Sequence, residues 1–143
     1  MPDLSRENVE LTQRVFEAFN RRDFDDLLAL LDDSITWRSL FSVEAHLLQG
    51  KETLRAHWAS QVEAVDVYLE LQELIPVGDS RVVAVAKWSG RGQTSGVSVD
   101  ASAAQVFTIQ RDKVMCVETY ASKSEALKAA GLASGKQGNP TLT

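Results

Sequence analysis

Hydrophobic side chains change their spacing near residue 65. Before it they recur every three or four positions, as at Val9, Val15, Phe16 and Phe19 or at Leu54, Trp58 and Val62; from Val67 onward they alternate. The first spacing covers one stripe of a helix and the second one face of a strand, so a helical first half must pack against a sheet built from the second. Ser5 stands as N-cap of a first helix reaching about Arg22. Asp23 caps a second, Phe24 to Asp32, in which Leu27, Leu28, Leu30 and Leu31 give more apolar surface than one stripe needs. The β-branched and aromatic residues of Ser34 to Arg38 predict a strand, Ser39 to Gln49 a loop, and Gly50 to Val65 a third helix whose inner face also carries His57 and Gln61. The alternating half divides into hairpins. Val67 to Pro76 and Arg81 to Gly92 turn about Gly78-Asp79-Ser80; then, after the Gly- and Ser-rich Gln93 to Ser98, Val99 to Gln110 and Lys113 to Tyr120 turn about Arg111-Asp112. A short helix, Lys123 to Ala130, closes at Gly131, and residues 133–143 read as a flexible tail behind a single domain of residues 1–132. The expected class is α+β, a cone-shaped curved antiparallel sheet packed against three N-terminal helices, with a short C-terminal helix.

Composition and charge exclude several functions. With 15 Lys and Arg against 20 Asp and Glu the formal charge is −5, which repels phosphate backbones and argues against nucleic acid as a partner. The longest apolar runs, Leu27 to Leu31 and Val82 to Ala86, fall far short of a bilayer span, and the first residues show no basic patch followed by an apolar stretch. No membrane partner is therefore expected, and the cytoplasm is the expected compartment. Cys116 is the only cysteine, which removes internal disulfides and cysteine zinc sites. His46 and His57 lie on different elements with no inward carboxylate between them, so neither a metal site nor a cofactor is expected.

Four stretches, SRENVELTQRVFEAFNRRDFDDLLALLDDSITWR, GKETLRAHW, VVAVAKWSGRG and VETYASKSEALKAAG, together resemble the SnoaL-like family of the nuclear transport factor 2 superfold over Ser5 to Leu132. The resemblance implies a cone whose inward side chains, with the inner faces of the first and third helices, line a cavity. It leaves the activity open, because the family includes ketosteroid isomerases, polyketide cyclases, epoxide hydrolases and proteins that only bind or dimerise. Inside such a cone, alternation turns Gln105, Phe107 and Ile109 inward on one strand and Met115, Val117 and Thr119 on the next. Ala86 and Trp88 join them from the long strand, His57 and Trp58 from the third helix, and Trp37 or Arg38 from the first strand. The expected ligand-binding set is Trp37, Trp58, Trp88, Gln105, Phe107, Val117 and Thr119, aromatic walls suited to a small hydrophobic molecule; equally, the three tryptophans can be core.

The reaction templates of the family do not transfer. The tyrosine of the ketosteroid isomerase site falls on Val15, its base on Arg38 or Ser39 and its second aspartate on Gln105; the acid of the cyclases falls on Thr119; and the Asp-Arg-Asp set of the epoxide hydrolases meets Arg91 followed by Gln93. Of the remaining polar groups, His57 suits proton transfer because imidazole titrates near neutrality, unless it merely tops the core at the helix edge. Gln105 either orients a ligand carbonyl or satisfies nearby backbone. His46 sits on a loop at the cavity mouth or in solvent, and Arg38 either clamps a carboxylate or pairs with Asp32 or Asp33. Val114, Cys116, Glu118 and Tyr120 alternate onto the outer sheet face, where an apolar patch would support a homodimer. Three readings stand: a module binding a small hydrophobic molecule, a cofactor-free isomerase, cyclase or hydrolase using His57, and a structural dimerisation domain filled by its own tryptophans.

Overall fold

α1 (Leu4–Asn20) buries Leu11, Val15, Phe16 and Phe19 along one stripe, as their spacing requires. The computed structural model describes residues 4–38, 47–64, 66–91 and 98–131; the expected mouth residue His46, the turn around Gln93 and the tail 133–143 lie outside them. α1 starts at Leu4, which puts Ser5 inside its first turn, and it closes two residues earlier than expected. The amides of Arg22 and Asp23 donate to the carbonyls of Phe19 and Ala18, each at 3.0 Å, while Arg22 adopts φ +62°. This is the left-handed closure that glycine usually supplies, made here by arginine. Asp23 then caps α2 (Phe24–Ala29) by accepting from the Asp26 amide. α2 also ends earlier than its leucines suggest, because Leu31 already opens β1 (Leu31–Arg38) in register with Val114.

A three-residue strand, β2 (Leu47–Gln49), pairs with β1, and α3 (Lys51–Ala64) follows. Four long strands come next: β3 (Tyr68–Val77), β4 (Arg81–Arg91), β5 (Ser98–Gln110) and β6 (Lys113–Tyr120). α4 (Lys123–Ala130) is capped by Ser122 and stopped by left-handed Gly131. The strands form one curved sheet in the order β2-β1-β6-β5-β4-β3. Every pairing is antiparallel except β1 with β6, which is parallel. The β5–β6 turn is a two-residue reversal with Arg111 at φ +53° and Asp112 at φ +62°, the twist-matched geometry usually built on glycine or asparagine.

The concave face carries the main core, where Val82, Ala84, Ala86, Phe107 and Val117 meet α1, α2 and α3. α4 does not join the other helices. It covers the opposite face, packing Ala126 and Ala130 on Val83, Ala104 and Val106. Among the described residues the register shifts three times, once in β1 between Leu31 and Thr36 where it runs beside β6. Gln72 is the extra residue of β3 between the Leu71–Ala86 and Glu73–Val85 pairs, and Met115 is the extra residue of β6 between the Cys116–Thr108 and Val114–Ile109 pairs. The Met115 bulge corrects the expected alternation. It returns Val114 to the inner face, 0% exposed, and leaves Met115 outside the core cluster. The apolar patch expected for a dimer therefore loses Val114 and keeps only the partly buried Cys116 and Tyr120 beside Glu118. Among the described residues no helix is long and apolar enough to cross a membrane.

Both ends of α1 are tied to the sheet. Asn8 donates to the Asp79 carbonyl at 2.8 Å in the β3–β4 turn. Asn20 grips Leu69 in both directions, its amide nitrogen donating to the Leu69 carbonyl at 2.8 Å and its oxygen accepting from the Leu69 amide at 2.9 Å. Arg22 reaches across to the α3–β3 connection, donating to Asp66 Oδ1 at 2.9 Å and the Val67 carbonyl at 2.7 Å with its guanidinium over the Tyr68 ring. That connection runs directly over Gly90. A Cβ there would stand 2.7 Å from the Asp66 carbonyl oxygen and 2.8 Å from Val67 Cα, both backbone atoms that cannot swing aside. Gly90→Ala should cost roughly 1–3 kcal/mol, the usual range for forcing extra volume into a packed site. Urea unfolding with an unchanged midpoint would show that the contact is looser than described.

Candidate functional site

Inside the cone, helices and sheet leave a slot lined by Val15, Phe16 and Phe19 of α1, Leu27 of α2, His57, Trp58 and Gln61 of α3, Trp37, Leu69 and Trp88 of β1, β3 and β4, and Gln105, Phe107 and Thr119 of β5 and β6. The space between their atoms amounts to about 490 Å³ counted to its open mouth. Most of that figure is shared with side chains and open solvent, and the free room inside is enough for only one or two water molecules.

Aromatic contacts shape that gap. Starting from α1, Phe16 meets Phe107 at 5.8 Å between ring centroids, Phe107 meets Trp37 at 6.2 Å, and Trp37 meets Trp58 at 5.4 Å. Trp58 meets Phe24 at 5.9 Å, and Phe24 returns to Phe19 of α1 at 6.1 Å. The rings thus close a belt through four elements and back. Their planes are tilted or edge-on, which is the favourable geometry for ring quadrupoles and the reason the rings do not stack flat and shut the gap.

The polar groups of the slot are all neutral. Gln105 and Thr119 are cross-strand partners, 3% and 6% exposed, and the Gln105 amide nitrogen donates to Thr119 Oγ1 at 3.1 Å. His57 and Gln61 stand one turn apart on α3, so they share a face. Burial holds the His57 imidazole below its ordinary value of 6.5, which leaves it neutral near pH 7. Among the described residues no Lys, Arg, Asp or Glu lines the slot. Charge lies outside instead: Asp25 pairs with Arg55, Asp26 with Arg21 at 3.0 Å and Asp33 with Lys51 at 3.3 Å. Among the described residues no three His, Cys, Asp or Glu side chains gather as a metal site requires.

Of the residues expected at the site, Trp37, His57, Trp58, Trp88, Gln105, Phe107 and Thr119 line one slot. Val117 does not. It is fully buried opposite Phe107 and Trp37, larger side chains that reach past it to the cavity wall. Arg38 is neither a ligand clamp nor a partner of Asp32 or Asp33. It is in register with Glu118 on the outer face, where its charge is felt by Tyr120. Asp32 accepts hydrogen bonds from Ser34, which hold its carboxyl below the usual range. The contribution of α1 through Val15, Phe16 and Phe19 was not singled out from the sequence, since the same apolar stripe serves core and cavity alike.

The state of His57 has a measurable consequence. The folded imidazole takes up its proton less readily than the unfolded one, so the unfolded chain gains protons first as pH falls through about 6.5, and stability declines below that point. Histidine NMR titration should place His57 below 6.5, and His57→Gln should flatten this part of the stability profile. A value at or above 6.5 would contradict the buried placement.

Comparison with known proteins follows the same geometry. The model of the SnoaL-like domain family matches residues 12–117, while no curated protein matches the chain significantly. Among solved structures, Bal32a from a soil-derived mobile gene cassette is 21% identical, with 82% of this chain and 91% of that one aligned at a TM-score of 0.74. Rv0760c from Mycobacterium tuberculosis, solved in complex with estradiol-17β-hemisuccinate, is 13% identical over 82% of this chain and 95% of that one, at 0.72. A nuclear transport factor 2-like protein from Burkholderia xenovorans is 23% identical over 87% and 96%, at 0.70. Identities this low establish a shared fold and no more. With the family model spanning most of its length, the chain belongs to the SnoaL-like domain family.

Proposed function

We propose that this protein binds a small hydrophobic or aromatic molecule in the slot. The observation that carries the reading is the lining, in which aromatic rings predominate and, among the described residues, no charged side chain takes part. Such a wall stabilises apolar surface removed from water at about 25 cal/mol per Å² and offers nothing to balance a buried charge. Two structures of the same fold support a hydrophobic ligand by analogy: Rv0760c is solved in complex with estradiol-17β-hemisuccinate, an apolar ring system with a carboxylate end, and a computationally designed protein binds 17-OHP.

A second reading rests on His57, a neutral imidazole on the slot wall. There it can act as general base in a cofactor-free isomerase, cyclase or hydrolase reaction, with Gln105 holding the substrate oxygen. The two readings separate by turnover: His57→Gln lowers it roughly a hundredfold or more in the second and has none to lower in the first. A homodimer through the outer face belongs to the proposal only on the strength of Cys116 and Tyr120, and a monomer mass across a wide concentration range removes it.

Quenching of tryptophan fluorescence tests the binding itself. Naphthalene should quench saturably, and Trp88→Ala should weaken its affinity roughly tenfold or more, as loss of a central aromatic contact does. Quenching that rises linearly without saturation, or an unchanged affinity in Trp88→Ala, would defeat the reading.

A further inference from the structure

Among the described residues that line the slot, His57 alone changes charge near neutral pH. It stands half-buried on the α3 wall, in a lining whose other members are apolar, aromatic or neutral amide and hydroxyl side chains. We infer that protonation of His57 and occupation of the slot exclude one another, so that the protein holds its ligand at neutral pH and releases it in mild acid. The inference rests on the binding reading above and adds a control to it. It applies to any uncharged ligand that displaces water from the imidazole, whatever its shape.

Charge balance makes the argument. An imidazolium is tolerated where water or a carboxylate faces it, and among the described residues no carboxylate lines the slot. On α3 itself Glu52 and Glu63 are exposed, and Lys51 and Arg55 pair with Asp33 of β1 and Asp25 of α2, carboxylates whose side chains are 97% and 85% exposed. Arg38 of β1 is in register with Glu118 on the outer face, and the side chains that α1, β3, β4, β5 and β6 turn to the slot are uncharged. Water at the open mouth is then what solvates a charged ring. A molecule that fills the slot displaces this water and sets apolar surface in its place, a cost that falls on the charged form of the imidazole far more than on the neutral one. Burial alone already lowers the proton affinity of His57, and a ligand deepens the same burial.

Linkage fixes the sign. A ligand that makes His57 harder to protonate is, by the same factor, bound more weakly by the protonated chain. Affinity is therefore level while His57 of the free chain is neutral. It falls as pH drops through the pKa of the free chain and levels off again at the lower pKa of the complex. Release of this kind differs from acid unfolding in needing no loss of the fold.

The test is tryptophan quenching by naphthalene, a probe with no ionisable group, on the full chain from pH 7.5 to pH 5, with near-UV circular dichroism at each pH to show that the fold persists. Affinity should stay level down to about pH 6.5 and then fall, by roughly fivefold or more at pH 5, the lower end of the usual coupling between two sites. His57→Gln should bind without this fall, and His46→Gln, which removes the other histidine of the chain, should keep it. Histidine NMR should show His57 titrating at lower pH in the naphthalene-saturated chain than in the free one, a readout that holds above any pH at which the fold gives way. A level affinity profile in the folded wild type, a fall that survives in His57→Gln, or a His57 titration unmoved by naphthalene overturns the inference while the binding reading stands. Naphthalene that fails to quench saturably at pH 7.5 overturns the binding reading and the inference with it.

Discussion

The closed belt of aromatic rings is the constraint on which the interior depends. Its members come from α1, α2, α3, β1 and β5, so helices distant in sequence are held at a fixed spacing from the sheet by contacts of 5.4 to 6.2 Å. Each ring pair is worth about 0.5–1.5 kcal/mol beyond the area it buries. Rings have few torsions and fixed shapes, so a belt of tilted rings resists both opening and collapse. A leucine-rich interior of the same volume could close on itself by rotating side chains, whereas this one keeps a thin gap. The cavity is thus a consequence of how the core packs.

Polar chemistry is arranged around that belt by sign. Charges pair on the surface, where an exposed ion pair contributes about 1 kcal/mol or less, and they fasten α2 to α3 and α3 to β1. Neutral amides do the interior fastening. Asn8 and Asn20 fix the two ends of α1 to backbone of the sheet, and Arg22 with Gly90 fixes the passage from α3 into β3. The division leaves the slot lining apolar and, among the described residues, without a charged side chain.

Much of this was legible in the chain itself, for a physical reason. Helix and strand periods are local, and so are the caps at Asp23 and Gly131 and the reversals at Gly78 and Arg111, each of which depends on a few neighbouring residues. Gln105, Phe107 and Thr119 line the slot because alternation holds over the paired halves of β5 and β6, and Trp37, Trp58 and Trp88 join them from β1, α3 and β4. What escaped were features set by distant partners. A single bulge residue, Met115, reverses the facing of everything beyond it and carries no side-chain signature, so Val114 was assigned outward and Met115 inward. The parallel β1–β6 pairing starts a strand at Leu31, where local pattern continues a helix. Arg22 in a glycine conformation is explained by Asp66 and Val67, more than forty positions away.

The most direct measurement is a set of ¹H–¹⁵N spectra of the tryptophan indoles recorded while a flat neutral ring compound is added. Trp37, Trp58 and Trp88 all line the slot, and they are all the tryptophans of the chain. Occupation of the slot should shift their three resonances saturably along one binding curve, with the side-chain amide of Gln105 following it. Shifts confined to residues of the outer sheet face, or indoles that stay in place while ligand binds, would contradict an interior site held open by the belt.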